Sequence, residues 1–252
     1  MGGASTAMRA QLARRRPPPT PTALCRRAVP FCSHRSFAAT LSGGGQVGEG
    51  GELRVGAAQF TAAPCLSTNT SRIIASIREA GDAGIDLLAF AETATTGYFP
   101  ETIATTHPEA LHEAEGQIAE ACGAAGVAAV VGTPFFSAGR CFNSATVIDS
   151  HGSIVGRQHK LQLVPTDDWA VAGEDQAVFW LPGIPLPLSV IVCHDKRYPE
   201  LVRLPVLAGA RLIVYISHET WHDGETSPTP NLSSCAAAMI FPSLSIQAAL
   251  SW

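Results

Sequence analysis

Between Arg54 and about Trp221 the apolar positions follow two alternating rhythms. Short runs rich in branched residues and bounded by turn formers read as strands: Arg54–Phe60, Asp86–Ala91, Val127–Val131, Leu188–Val192 and Arg211–Ile216. Asn69–Gly81 instead places Ile73, Ile74 and Ile77 on one face and Arg72, Arg78 and Glu79 on another, as an amphipathic helix does. His112–Gly123 reads as a second helix. Asp195–Arg203 reads as a helix opening, with acidic and proline residues early and Leu201, Val202 and Leu204 following. Asn143–Asp149 and Ser153–Gly156 flank Ser150-His-Gly, a hairpin turn. Strands alternating with helices predict an α/β fold with helices packed on sheet faces.

The two ends differ from this middle. Residues 1–48 contain no Asp or Glu but carry Arg9, Arg14, Arg15, Arg16, Arg26, Arg27 and Arg35 among many Ser, Thr, Ala and Pro. Such composition fits a chloroplast or mitochondrial transit peptide, or a disordered leader with no address, so the expected location is cytoplasmic or organellar. Gly43–Gly51 is a flexible linker, so residues 1–51 are expected to be a disordered leader and linker. Residues 52–223 hold the predicted domain. Residues 224–252 form a divergent tail, turn-rich at first and then apolar from Cys235 to Trp252 with no clear period.

Composition narrows the partners. The formal charge of -4 gives no reason to expect nucleic acid, and no apolar run approaches the ~20 residues that span a bilayer, so no membrane partner is expected either. The 7 cysteines are scattered and contain no C-x-x-C pair, which predicts reduced thiols rather than a disulfide framework.

Cys193 is the candidate nucleophile. It sits where the strand Leu188–Val192 stops and a helix begins, near the positive end of a helix dipole that would stabilise thiolate. Glu92 follows the strand Asp86–Ala91 and Lys160 follows the strand that starts at Ser153. In open α/β sheets ligand sites form beyond the carboxyl ends of strands, so these three converge on one cleft. Taken singly each has a plainer reading: a buried thiol, a capping acid, a solvated cation.

The segment Val190-Ile-Val-Cys193-His-Asp-Lys-Arg-Tyr-Pro-Glu200, followed by Leu207-Ala-Gly-Ala-Arg-Leu-Ile-Val, resembles the cysteine elbow of nitrilase-superfamily carbon–nitrogen hydrolases. Ala-Glu92-Thr-Ala-Thr-Thr-Gly-Tyr98 resembles their glutamate motif, with Ala91 where proline is usual. Gly156-Arg-Gln-His-Lys160 resembles the lysine motif, and Val55–Phe60 the first strand. The resemblance implies a four-layer α-β-β-α sandwich, self-association into a homo-oligomer, and no metal or organic cofactor. It also implies a small amide as substrate, with Glu92 as general base, Cys193 forming a thioester and Lys160 holding the oxyanion. Asp168 stands where many amidases of the family carry a second glutamate, as a substrate-binding residue. True nitrilases usually have Trp-Glu after the cysteine; here His194-Asp195 follows, which favours amide over nitrile.

Two observations pull elsewhere. His218-Glu219-Thr-Trp-His222 matches the H-E-x-x-H zinc signature, which requires both histidines on one helical face. Residues 224–252 show no counterpart of the family's later strands or its Arg-Ala-x-Glu-Asn-like helix. The domain is therefore expected to be C-terminally incomplete, and an inactive truncated homologue or interaction protein is the alternative.

Overall fold

The structure, a computed structural model, describes residues 35–42, 52–220 and 234–242. Two sheets pack face to face. The larger has six strands in sequence order: β1 (Arg35–Ser42), β2 (Glu52–Gln59), β3 (Leu87–Ala89), β4 (Ala128–Ser137), β5 (Arg140–Ile148) and β6 (Ile154–His159). The smaller has β7 (Leu188–Val192), β8 (Leu212–Thr220) and β9 (Ser234–Pro242). β2, β3 and β4 run parallel, as do β7 and β8; the remaining pairings are antiparallel.

Alternation along the strands builds the core. Val55, Leu87, Ala89, Val130, Ala145 and Val147 face Leu188, Val190, Val192, Leu212, Val214 and Ile216 across the gap between the sheets. The opposite face of the larger sheet is covered by α1 (Leu66–Asp82) and α3 (Pro108–Ala125), through Ile73, Ile77, Ile118 and Cys122. On the outer face of the smaller sheet, α4 (Pro199–Leu207) places Val206 against Ile191, Ile213 and Tyr215. These are the four layers that the resemblance implied. Proline opens α3, α4 and the short α2 (Pro100–Thr105), where its missing N–H costs nothing.

The structure departs from the sequence reading at particular elements. Arg35–Ser42, read as part of the leader, forms β1 and pairs antiparallel with β2. Ser234–Pro242, in the tail, forms β9 against β8; the rest of both segments lies outside the described residues. The β4–β5 hairpin was not foreseen. Its turn is Ala138-Gly139, with φ of 48° and 73°, the two left-handed residues of a tight hairpin; alanine in the first position hides the signal glycine or asparagine would give. Cys65 is disulfide-bonded, against the expectation of reduced thiols, whereas Cys122, Cys141 and Cys193 are free. Among the described residues no helix is long and apolar enough to cross a membrane.

Candidate active site

Three chain reversals at one edge of the sandwich carry the site. After β3 the chain turns tightly through Glu92, with Thr93 at φ 50° and Gly97 at φ 70°. Positive φ is costly for a β-branched residue, so the surroundings must hold Thr93 in place. Gly132 on β4 makes room for this turn: a Cβ there would lie 2.0 Å from the Ala91 carbonyl oxygen and 2.6 Å from the Glu92 Cα. At the end of β6, the Lys160 N–H donates to the Asn143 carbonyl at 2.8 Å, prolonging the β5–β6 ladder by one pair. Cys193 directly follows β7, with φ 50°, and begins a 3-10 turn, Cys193–Arg197.

That turn corrects the dipole reading. The α-helix starts only at Pro199, so Cys193 does not sit on its first turn. Burial pushes the thiol up to about 11, and the Glu92 charge adds to this; the Lys160 ammonium and a bond from Ser217 pull the other way without prevailing. The thiol is protonated at neutral pH and needs a base. Glu92, which hydrogen-bonds it, is in place to be that base.

Glu92, Lys160, Asp167 and Asn143 are all buried and form one closed network. The Lys160 ammonium donates to Glu92 Oε1 at 2.8 Å and contacts Asp167 Oδ2 at 2.9 Å. The Asn143 amide donates to Glu92 Oε1 at 2.8 Å and to Asp167 Oδ1 at 3.3 Å. The second Glu92 oxygen accepts the backbone N–H of His218, on β8, at 2.8 Å. Burial works against the charge on Lys160, but Glu92, a Cys193 thiolate and the bonds to both carboxylates outweigh it and hold the lysine above its ordinary range. A fixed ammonium beside the sulfur is placed to stabilise negative charge developing on a substrate oxygen.

Asp167 also accepts from the Tyr98 hydroxyl and from the Val164 N–H at 2.9 Å. Tyr98 stacks on His218 with ring centroids 5.1 Å apart and meets Trp169 edge-on, giving the cluster an aromatic wall. Asp195, fully buried, accepts the Gln162 N–H at 2.7 Å and the Leu161 N–H at 3.2 Å, tying the segment after Lys160 to the turn after Cys193.

The structure therefore brings Glu92, Lys160 and Cys193 together, as the strand ends suggested. It does not bring in Asp168, which is exposed; its neighbour Asp167 closes the 3-10 turn Pro165–Asp167 and points to the lysine instead. Sequence reasoning missed Asn143, Asp167, Tyr98 and Gly132. Asn143 had a readable signal: it shares a strand face with Ala145 and Val147, where a polar residue faces the core. The zinc reading fails on geometry, because His218–Thr220 continue β8 rather than a helix; His222 lies outside the described residues. Among the described residues no group of three or more His, Cys, Asp or Glu could hold a metal ion.

An α-β-β-α sandwich presenting a carboxylate, an ammonium and a thiol in one buried cluster is the architecture of the nitrilase superfamily. The chain belongs to the carbon-nitrogen hydrolase family, which it matches over residues 54–240, beyond the point where its motifs cease to be recognisable. It is similar to the omega-amidase NIT2 of Xenopus tropicalis, 27% identical over 178 residues, covering 65% of this chain and 63% of that protein. It is also similar to the apolipoprotein N-acyltransferase of Geobacter metallireducens, 28% identical over 172 residues, covering 59% of this chain and 31% of the enzyme. Among solved structures, a cysteine-to-alanine variant of the Nesterenkonia AN1 amidase superposes with a TM-score of 0.64 at 28% identity, covering 71% of this chain and 70% of that one. A variant of the same amidase, with glutamate-to-glutamine and cysteine-to-alanine changes and bound to acrylamide, superposes with a TM-score of 0.64 at 26% identity. The chain thus spans a little under two thirds of the curated omega-amidase.

Proposed function

We propose that this protein hydrolyses the carbon–nitrogen bond of a small carboxamide through a thioester on Cys193. The observation that carries the reading is the buried cluster itself: Glu92 hydrogen-bonds both the protonated thiol and the Lys160 ammonium. Glu92 takes the thiol proton as sulfur attacks the carbonyl carbon, and the C=O electron pair moves onto oxygen, where Lys160 stabilises it. Collapse breaks the C–N bond, and the leaving nitrogen takes the proton from Glu92 to depart as ammonia or an amine. Water, deprotonated by Glu92, then opens the thioester, releasing the carboxylic acid and restoring the thiol. The amidase relatives and His194-Asp195 after the nucleophile support amide over nitrile.

The test is ammonia release by the purified chain from a panel of short aliphatic carboxamides, with Cys193→Ala and Glu92→Gln as controls. Release that disappears in both variants supports the proposal. Well-folded protein that forms no acyl-enzyme by mass spectrometry and releases no ammonia overturns it in favour of an inactive homologue. Self-association, expected from the family likeness, is read by light scattering on the same preparation.

A further inference from the structure

Asn143 is not among the three groups the hydrolytic scheme uses, yet it touches more of the site than any of them needs for chemistry. Its backbone carbonyl accepts the Lys160 N–H, and its side-chain amide donates to both Glu92 and Asp167. The two carboxylates are thus held by two donors, one charged and one neutral. A second lysine or arginine would hold them equally but would cancel the charge that makes Glu92 a base. Asn143 supplies the hydrogen bond and leaves that charge intact.

A second observation marks the residue as kept for function. Asn143 is fully buried, and its Oδ1 has no hydrogen-bond partner among the described residues. A buried acceptor without a partner lowers stability, and native chains avoid it where packing alone decides the residue. The orientation of the amide is also fixed, because only its NH2 can face two carboxylates.

We propose that Asn143 is a positioning residue. Its amide, with the Lys160 ammonium, saturates one oxygen of Glu92 and leaves the other oxygen, oriented by the His218 N–H, for exchange of the thiol proton. The proposal rests on the hydrolytic reading of the site. Its test therefore has two readouts, of which alkylation of the thiol does not require amide turnover.

The experiment compares wild type with Asn143→Ala, Asn143→Asp and Asn143→Ser. For each, kcat and KM for a carboxamide are measured across pH, together with the iodoacetamide alkylation rate of the Cys193 peptide, read by mass spectrometry against Cys193→Ala, and the melting temperature. Asn143→Ala is expected to lower kcat at least tenfold with little change in KM. It is also expected to move the acidic limb of both pH profiles upward, the direction that follows from removing a donor beside the base. Asn143→Asp, which adds a third carboxyl, moves the limb further. Asn143→Ser, small enough to fold if the alanine variant does not, falls between wild type and alanine. A melting temperature and active fraction that drop while the limb stays at its wild-type pH in both profiles would reduce Asn143 to a packing residue and overturn the proposal. If no variant or wild type turns over any amide, the alkylation profiles still decide the role of Asn143, and only the hydrolytic reading falls.

Discussion

Gly132→Ala isolates the demand for space beside Glu92, the proposed base. Gly132 has no left-handed φ, so alanine brings no backbone strain of its own; the obstacle is contact alone. The added Cβ would sit 2.0 Å from the Ala91 oxygen and 2.6 Å from both the Glu92 Cα and the Thr93 nitrogen, all backbone atoms that no side-chain rotation can clear. Reaching ordinary contact, which begins at 3.4 Å, requires the β3 turn and β4 to separate by about 1.4 Å. Overpacking of this kind destabilises by about 1–3 kcal/mol. Displacing a catalytic group by about 1 Å costs about 100-fold in rate. The expected result is a folded variant with a melting temperature several degrees lower and kcat/KM for amide hydrolysis reduced about 100-fold, measured as ammonia release per titrated Cys193. Gly116→Ala is the control: it lies in α3 with nothing near its Cβ, and should stabilise by about 0.5–1 kcal/mol with unchanged rate. Wild-type kcat/KM and melting temperature in Gly132→Ala would refute the argument that this glycine sets the position of Glu92.

Lys160→Met should remove turnover and lower stability by about 3–5 kcal/mol in urea unfolding, because Glu92 and Asp167 lose their shared cation while still buried. Burial pushes Asp195 up to about 6 even against the N–H groups of Gln162 and Leu161. The folded state then keeps a proton that the unfolded chain has released, so this residue's contribution is fully present below pH 3.8 and is lost as pH rises through about 6. From pH 4 to pH 7 that amounts to about 2 kcal/mol, and Asp195→Asn should flatten the pH dependence of unfolding by this order. A strand at His218–Thr220 leaves the H-E-x-x-H match without its helical geometry, so ammonia release should be unchanged by EDTA or 1,10-phenanthroline.

Much of the fold was legible because its core strands are long apolar runs. Leu188–Val192 in the structure has the predicted bounds, and β2, α1 and α3 differ from prediction only at their ends. The three chemical residues were legible for a topological reason: each follows a strand, and strand ends at one edge converge. What stayed hidden depends on direction rather than on spacing. Asp167 and Asp168 are neighbours of one chemistry, and only the rotation of a 3-10 turn decides which meets Lys160. Asn143 is a single polar letter in a strand, given meaning by two residues far from it in sequence. Cys193 lies off the first turn of α4 because His194–Arg197, in 3-10 geometry, and Tyr198 stand between it and Pro199.

The hydrogen bond from the His218 N–H to Glu92 joins residues 126 positions apart and crosses from the smaller sheet to the larger. Glu92, Asn143 and Lys160 come from one sheet, and Cys193, Ser217 and His218 from the other. Neither sheet alone carries both Cys193 and Glu92. Under the hydrolytic reading, the Cys193 thiol therefore meets Glu92 only once the two sheets have docked. In a denaturant titration the same logic runs backwards: turnover should fade while far-UV ellipticity is still native, with the seam between the sheets parting before the sheets themselves melt.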